Sequence, residues 1–456
     1  MIFQKLQAMI IKFFQKKLRK RLSKIHNIQK LKKLTSKLTK KRLQLIQRIN
    51  LYESIQYAIK NSPFYNNHLK DYRNEIDYKN SLKKLETLPF TTAEDLSTHP
   101  DKFLAIPQKE IAAYHFSAGT TGERKKIFLS KKDLELIRYS YKLGFINSEL
   151  STDDVAQIMY SFGIWQLGAL FQEALANLDI VCLPTGNFLK PEEQKEYIEN
   201  FNVTVITGTP SYLCWLAREI NLSEKAKKNM KKILVGGEGL SKIRRDYLES
   251  QFGGEVFVGY GLMEFGGGIA DECRRHNGYH LYPGVVAEII DPKTGETLED
   301  GKFGELVLTS LYREAMPLIR YRTGDITRII DDKCDCGLNI PRIDYIKGRV
   351  DERITIGTAE KYYPIVFEKI FQEYPQILDY WIEIREKNNK DALTINVVTK
   401  KPSEELGDEL IQNILLIPTI KTDYEKTNTI KKPTIIFVEE PRQNVKAKRI
   451  IDHREE

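Results

Sequence analysis

The 456-residue sequence has only five cysteines, no apolar run that approaches 18 residues, and no acidic residue before Glu53. Five cysteines are too few for a disulfide framework in a chain of this length, which favours a reducing, cytosolic environment. The lack of a long apolar run argues against a membrane-spanning helix. With 29% charged residues, 27 glycines and 17 prolines, the composition is typical of a globular enzyme of two to four domains.

The formal net charge of +9 is distributed unevenly along the chain. Residues 1–50 contain 16 Lys and Arg and no Asp or Glu, whereas the rest of the chain contains 55 basic and 62 acidic residues. The greater part of the protein is therefore mildly acidic, and one N-terminal segment makes the whole chain basic. We call residues 1–50 the basic arm and predict that it is a separate unit.

In the basic arm, apolar residues recur at steps of three and four from Phe3 to Leu38, with Lys and Arg between them. This spacing predicts an amphipathic helix. Such a helix binds an anionic membrane surface or a partner protein, here through residues 1–45, or it packs against its own body. The arm has no base-reading motif, so no nucleic-acid partner is expected. We expect a cytoplasmic protein, either free or peripheral to a membrane.

Beyond the arm, short apolar runs alternate with helical patterns. The runs that read as buried strands are Val155–Tyr160, Ile180–Leu183, Val203–Thr207, Ile233–Val235 and Val256–Val258. This alternation predicts a large layered α/β domain, and ligands bind such sheets at the carboxyl ends of the strands. From about 283 to 328, short strands and tight turns predict a β-rich subdomain.

The loop Ser117–Lys126 lies between two strand-like runs and reads Ser-Ala-Gly-Thr-Thr-Gly-Glu-Arg-Lys-Lys. Its glycines permit close backbone approach, its hydroxyls can donate hydrogen bonds, and its cations attract anions. The loop therefore either binds a polyphosphate or forms an ordinary hairpin turn. It lacks the Gly-Lys-Ser/Thr ending of a Walker loop.

With its motifs taken in order, the sequence resembles the adenylate-forming superfamily of acyl-CoA synthetases, adenylation domains and luciferase, and in particular its phenylacetate–CoA ligase-like branch. The likeness runs from about Asn61 to the C-terminus. It is carried by Leu88–Thr92, Ser117–Gly122, Tyr260–Leu262, Glu314–Asp325, Cys334–Gly337, Gly348–Arg349 and Lys446–Asp452. The resemblance implies an adenylation domain over 51–347 and a small, mobile α+β domain over 348–456.

The resemblance also implies the chemistry, which is attack of a carboxylate on ATP followed by thioester formation with CoA. The implied nucleotide-binding residues are Ser117, Gly119, Thr120, Thr121, Gly122, Gly237, Glu238, Tyr260, Gly261, Asp325 and Arg349. Glu264 is implied as the Mg²⁺ ligand and, with Thr120 and Lys446, as a catalytic residue; Lys448 is the alternative to Lys446. Asp351 corresponds to the hinge of the C-terminal domain.

Met263 departs from the family pattern, which usually has Thr or Ser beside the magnesium glutamate. Two other hypotheses stay open. The first rests on the resemblance, because the branch includes proteins with other acceptors and the segment after Arg349 departs from the family pattern. The second rests on Met263, because a thioether donates no hydrogen bond to phosphate. In the first, the adenylate goes to an acceptor other than CoA, such as a deazaflavin cofactor or a precursor in a polysaccharide pathway. In the second, the fold is catalytically silent and serves as a binding protein.

Four residues on either side of the β-rich subdomain have side chains that suit zinc: Cys273, His280, Cys334 and Cys336. Three thiolates and one imidazole make a complete tetrahedral set for a structural ion. The spacing alone does not match a zinc finger, and His276 is the alternative histidine. The other two cysteines, Cys182 and Cys214, lie in apolar segments and are predicted to be buried.

Overall fold

The structure is a computed structural model. It describes residues 30, 33, 39–117, 125–163, 166–350, 354–357, 360–362, 364–371, 373–374, 376–439 and 449–454. Most of the basic arm lies outside these residues, and so do Gly119, Thr120, Thr121 and Gly122. Asp351 and Lys446 also lie outside them.

The described chain begins with helix α1 (Lys40–Asn61), which Thr39 caps by accepting a hydrogen bond from the Arg42 amide. The second half of α1 packs on the core through Leu51, Ile55, Ala58 and Ile59. The helix therefore runs without a break through position 50, where the arm was predicted to end. Three short helices follow: α2 (Pro63–His68), α3 (Ser81–Leu85) and α4 (Ala93–Thr98).

The centre of the large domain is a nine-stranded sheet. An antiparallel ribbon precedes it, made of β1 (Ile111–Phe116) and β2 (Lys126–Ser130). The sheet strands are β3 (Val155–Ile158), β4 (Val181–Leu183), β5 (Val205–Gly208), β6 (Lys232–Gly236), β7 (Glu255–Leu262), β8 (Gly267–Glu272), β9 (Tyr279–Leu281), β13 (Ile329–Ile330) and β14 (Arg342–Ile343). Their order is β13-β14-β9-β8-β7-β6-β5-β3-β4. Neighbouring strands among β4, β3, β5, β6 and β7 are parallel, and the remaining neighbouring pairs are antiparallel.

Six helices accompany the sheet: α5 (Lys131–Asn147), α6 (Leu167–Ala176), α7 (Pro191–Asn200), α8 (Pro210–Glu219), α9 (Glu224–Asn229) and α10 (Lys242–Phe252). A separate antiparallel sheet contains β10 (Val285–Ile290), β11 (Gly304–Ser310) and β12 (Tyr321–Thr327). Buried apolar side chains on the inner strands β3, β5, β6 and β7 form the core of the nine-stranded sheet, whereas β4 at its edge is partly exposed. The α/β layering and the β-rich subdomain predicted from the sequence are confirmed.

The C-terminal part has its own hydrophobic core, which extends from Ile356 to Ile450. It contains β15 (Ile354–Ile356), β16 (Glu360–Tyr362), α11 (Pro364–Phe371), β17 (Ile377–Glu386), β18 (Asp391–Thr399), α12 (Glu404–Leu415), α13 (Pro418–Glu425), β19 (Thr434–Val438) and β20 (Ile450–Asp452). A four-stranded sheet runs in the order β19-β18-β17-β20, as an α+β domain requires.

The two parts meet where α10 packs against β17. Arg244 on α10 donates to Asp379 on β17 at 2.6 Å, and Arg449 pairs with the same carboxylate from the C-terminal side. Burial raises the pKa of Asp379, but the two guanidinium groups outweigh it and lower that pKa to about 2. The ion pair is only 11% exposed on either side, so it couples the two parts electrostatically.

Candidate active site

One polar cluster of the large domain joins strand β7 to strand β12. The Tyr260 hydroxyl donates to Asp325 Oδ2 at 2.6 Å, and Arg349 donates to Asp325 Oδ1 at 3.1 Å. Asp325 also forms a backbone bridge with Arg349. Three residues that lie far apart in the sequence are thereby fixed around one carboxylate.

Gly324 explains how Arg349 can come so close to this carboxylate. Gly324 has a φ of +77°, and a Cβ there would stand 2.9 Å from a guanidinium nitrogen of Arg349. Any other residue would suffer both backbone strain and a clash. The Thr-Gly-Asp sequence at 323–325 is therefore a local requirement of the cluster.

Glu264 lies in a short 3₁₀ turn, Met263–Phe265, directly after β7. It is buried, and its Oε1 accepts hydrogen bonds from Lys125 Nζ at 2.8 Å and from the Tyr321 hydroxyl at 3.1 Å. Burial raises the pKa of Glu264, but the charge and hydrogen bond of Lys125 outweigh it and hold that pKa below its usual value. The carboxylate is therefore ionised at neutral pH.

Lys125 is the residue of this cluster whose pairing the sequence did not predict. We grouped it with the cations of the phosphate loop, and the structure pairs it with Glu264 instead. A 139-residue separation leaves no local signal for such a pair. Ser117, at the other end of the same loop, donates its amide to the Lys125 carbonyl at 3.2 Å. The Ser117 side chain is buried, and its hydroxyl has no hydrogen-bond partner in the part of the chain that the structure describes.

Gly237 and Glu238 follow β6 at the same end of the sheet as Tyr260 and Gly261. Gly237 has a φ of +85°, which turns the chain sharply away from the strand. Glu238 accepts from the Ser211 hydroxyl at 2.7 Å and from the Ser211 amide at 3.2 Å. Burial raises the pKa of Glu238. These loops therefore gather at the carboxyl ends of parallel strands β5, β6 and β7, as the sequence predicts.

A second cluster unites the four side chains predicted to suit zinc. The ligand atoms of Cys273, His280, Cys334 and Cys336 all lie within 4.8 Å of one another, and all four residues are buried. Cys273 and Cys334 sulfurs are 3.6 Å apart, and Cys336 Sγ is 3.3 Å from His280 Nε2. The alternative histidine, His276, bonds instead to Glu272 and Glu255.

The remaining two cysteines differ from each other. Cys214 is buried, as predicted, whereas Cys182 is only partly buried. Cys182 lies on β4, which is the last strand of the sheet and has a partner on one side only. The prediction of full burial was therefore wrong for Cys182, because an edge strand keeps part of its surface accessible.

The sequence of this chain is similar to those of known enzymes. The family model described as AMP-binding enzyme matches residues 9–312. A phenylacetate-coenzyme A ligase of Pseudomonas putida is 30% identical over 368 residues, which cover 78% of this chain and 81% of that protein. A phenylacetate-coenzyme A ligase of Thermus thermophilus is 29% identical and covers 82% and 86%.

The fold has solved counterparts as well. The crystal structure of 2-hydroxyisobutyryl-CoA ligase in the postadenylation state superposes with a TM-score of 0.75, covers 91% of this chain and 90% of that one, and is 20% identical. The chain belongs to the AMP-binding enzyme family. The family match begins at residue 9, well before Asn61, where the likeness was predicted to start.

Proposed function

We propose that the protein is an AMP-forming acid–thiol ligase. A carboxylate oxygen attacks the α-phosphorus of ATP, the bond to the β-phosphate breaks, and pyrophosphate leaves. The thiol of CoA then attacks the acyl carbon, loses its proton, and expels AMP. The observation that carries this function is the Tyr260–Asp325–Arg349 cluster beside Glu264, in a chain with phenylacetate-coenzyme A ligases among its relatives.

The described residues suit the nucleotide part of this reaction. The carboxylate of Asp325 is fixed from two sides and accepts hydrogen bonds from the ribose hydroxyls, while Tyr260, Gly261, Gly237 and Glu238 surround the adenine. Little covalent chemistry falls to the protein, so positioning and charge stabilisation dominate. Thr120 with its neighbours Ser117, Gly119, Thr121 and Gly122 holds the phosphates, and Lys446 contacts the carboxylate.

Glu264 is the proposed ligand for Mg²⁺. A buried, ionised carboxylate supplies the hard oxygen that this cation prefers, together with phosphate oxygens. The ion neutralises charge on the phosphates when it is bound. Lys125 forms an ion pair with Glu264 in the structure, and this pair keeps the Glu264 carboxylate charged and oriented. Met263 is half-buried beside it and contributes no donor.

We further propose a structural zinc ion for Cys273, His280, Cys334 and Cys336. Tetrahedral bonds of about 2.0–2.3 Å place ligand atoms about 3.3–3.8 Å apart, and the two measured separations of 3.6 and 3.3 Å fall in this range. Three thiols and an imidazole form a closed set with no open position for substrate. The ion would tie strands β8 and β9 to the segment after β13.

Two further parts of the chain complete the proposal. The C-terminal domain, from 348 onward, rotates about Asp351 between the two half-reactions. The basic arm contacts an anionic surface or a partner through residues 1–45. None of the helices in the described part of the chain has the length and apolar character that a bilayer-spanning segment needs.

The function is tested by ATP–pyrophosphate exchange with purified full-length protein, Mg²⁺ and a panel of aryl and short-chain carboxylic acids. We expect exchange with at least one acid, and consumption of the CoA thiol once CoA is added. Exchange without thiol consumption would favour a different acceptor. ATP binding without exchange for any acid would contradict a ligase.

A further inference from the structure

Asp271 is a carboxylate in the middle of the large domain that the nucleotide chemistry does not use. It lies on β8 and pairs in register with Gly259 of β7, which in turn pairs with Gly236 of β6. Its neighbours Ala270 and Glu272 are fully buried, yet Asp271 itself retains accessible surface. Gly259 and Gly268 retain accessible surface too. The carboxyl group therefore borders an open space within the fold.

Two glycines make room for this carboxyl group. A Cβ on Gly144, in α5, would overlap both Asp271 Oδ2 and the Tyr282 hydroxyl. A Cβ on Gly259 would stand 2.6 Å from Asp271 Oδ1. Because Asp271 Oδ2 and the Tyr282 hydroxyl would meet the same methyl group, these two oxygens are close neighbours.

The polar groups around this space lack partners. Among the described residues, the Asp271 carboxyl group accepts no hydrogen bond and forms no ion pair, and the buried hydroxyls of Tyr160 and Tyr282 have no hydrogen-bond partner. Glu272, the next residue, differs completely: it binds Arg245 at 2.7 Å and the Val258 amide at 2.8 Å. Buried polar groups are nearly always satisfied, so two unsatisfied hydroxyls beside a partly accessible carboxyl group point to a ligand.

The position of Asp271 connects it to the proposed reaction. Gly259 immediately precedes Tyr260, and β8 begins at Gly267, three residues after Glu264. At about 3.3 Å per residue, Asp271 lies about 13 Å further along β8 from Gly267. A small acid with its carboxylate near Glu264 and its body along β8 directs its far end toward Asp271.

We propose that the site selects carboxylic acids that carry a hydroxyl or amino group at the end opposite the carboxylate. Asp271 accepts a hydrogen bond from that group, and the hydroxyls of Tyr160 and Tyr282 complete its environment. The inference rests on the proposed ligase function and names its substrate class. A site built to hydrogen-bond such a group discriminates strongly against an analogue without it, because its own polar groups then stay unpaired.

The test compares kcat/KM for pyrophosphate release with three 4-substituted phenylacetic acids: 4-hydroxyphenylacetate, 4-(aminomethyl)phenylacetate and 4-methylphenylacetate. We expect kcat/KM of the wild-type protein to be at least about 100-fold higher for an acid with the hydroxyl or amino group than for 4-methylphenylacetate. Equal rates with all three would overturn the inference and leave the ligase function intact. No pyrophosphate with any carboxylic acid would overturn both.

Variants of Asp271 then assign the preference to this residue. Asp271→Leu should remove the preference for acids with a hydroxyl or amino group, and turnover of 4-methylphenylacetate should be retained or improved. Asp271→Asn keeps the size of the side chain. It should lower turnover of 4-(aminomethyl)phenylacetate at least tenfold more than turnover of 4-hydroxyphenylacetate. Asp246→Asn, which changes an exposed carboxylate on α10, is the matched control and should leave the preference unchanged. An unaltered preference in both Asp271 variants would contradict the assignment.

Discussion

The two halves of the site differ in how their polar groups are satisfied. On the nucleotide side, Asp325 and Glu264 each hold two partners from distant parts of the chain. On the proposed acid side, the carboxyl group of Asp271 and the hydroxyls of Tyr160 and Tyr282 have no hydrogen-bond partners among the described residues.

This difference follows from what each half has to recognise. A nucleotide is the same in every turnover, so its binding groups can be oriented in advance by bonds within the protein. The acid side leaves groups unpaired, and the substrate itself must satisfy them. Selectivity for the acid therefore costs stability in the free protein, whereas nucleotide binding does not.

The largest expected effect comes from Glu264→Gln. The change keeps the shape of the side chain but removes the charge that Lys125 and the proposed Mg²⁺ require. We expect kcat for pyrophosphate release to fall by about 10²–10³-fold. Steady-state kinetics with saturating ATP measure it, and Glu255→Gln, at the far end of β7, is the control. A fall of less than threefold would show that the nucleotide side does not depend on this carboxylate.

The proposed zinc cluster is expected to affect stability more than chemistry. Cys334→Ser removes one of four ligands, so we expect metal content to fall from about one ion per chain and the Tm to drop by about 5–10 °C. Elemental analysis and calorimetry provide the measurement. Cys182→Ser, which changes a partly buried thiol outside the cluster, should alter neither quantity. Wild-type protein purified without metal and with an unchanged Tm after chelation would exclude the ion.

The junction of the two parts gives a pH-dependent effect. The pKa of Asp379 is about 2 in the folded protein and lies near 3.9 when unfolded. Its ion pairs with Arg244 and Arg449 therefore stabilise the fold fully above about pH 4, and this contribution is lost as the pH falls toward 2. We expect Asp379→Asn to lower the free energy of unfolding by about 2 kcal/mol at pH 7.

Denaturant unfolding at several pH values measures this contribution. The difference in unfolding free energy between wild type and Asp379→Asn should shrink steadily from pH 4 to pH 2. The exposed pair of Asp246 and Lys242 offers the comparison, because Asp246→Asn should cost less than about 1 kcal/mol at any pH. A difference that stays constant with pH would refute the electrostatic explanation.

The smallest effect is expected for Tyr260→Phe, which removes one of the hydrogen bonds that position Asp325. One such bond contributes about 1 kcal/mol, so KM for ATP should rise about fivefold while KM for the acid stays the same. Tyr374→Phe also removes one hydrogen bond, to Asn413, but in the C-terminal part. It should change neither constant. An equal rise in both KM values for Tyr260→Phe would mean that the two halves of the site are not separate.

The sequence was most informative where local chemistry decides the structure. Thr92 and Asp95 lie three residues apart and form a capping box at the start of α4, as this spacing favours. The strand runs predicted the central sheet because the apolar side chains of strands such as β5 and β6 are buried on both faces. The grouping of Cys273, His280, Cys334 and Cys336 was also predicted, since few other cysteines compete.

Long-range pairing was not accessible in the same way. The ion pair of Lys125 with Glu264 and the open space beside Asp271 both depend on how Lys125 and α5 lie against β7 and β8. The sequence of residues 269–273 does not reveal that Glu272 pairs with Arg245. Nor does it reveal that the carboxyl group of Asp271 has no partner among the described residues. Strand alternation sends the two side chains to opposite faces, and only the fold determines what each face meets.

The most direct test of the account is a complete turnover with full-length protein, ATP, Mg²⁺, CoA and 4-hydroxyphenylacetate, in which AMP, pyrophosphate and thioester are quantified together. The account predicts the three products in equal amounts, with at least about 100-fold less of each when 4-methylphenylacetate replaces the hydroxyl acid. Formation of ADP in place of AMP, or no thioester with any carboxylic acid, would contradict it.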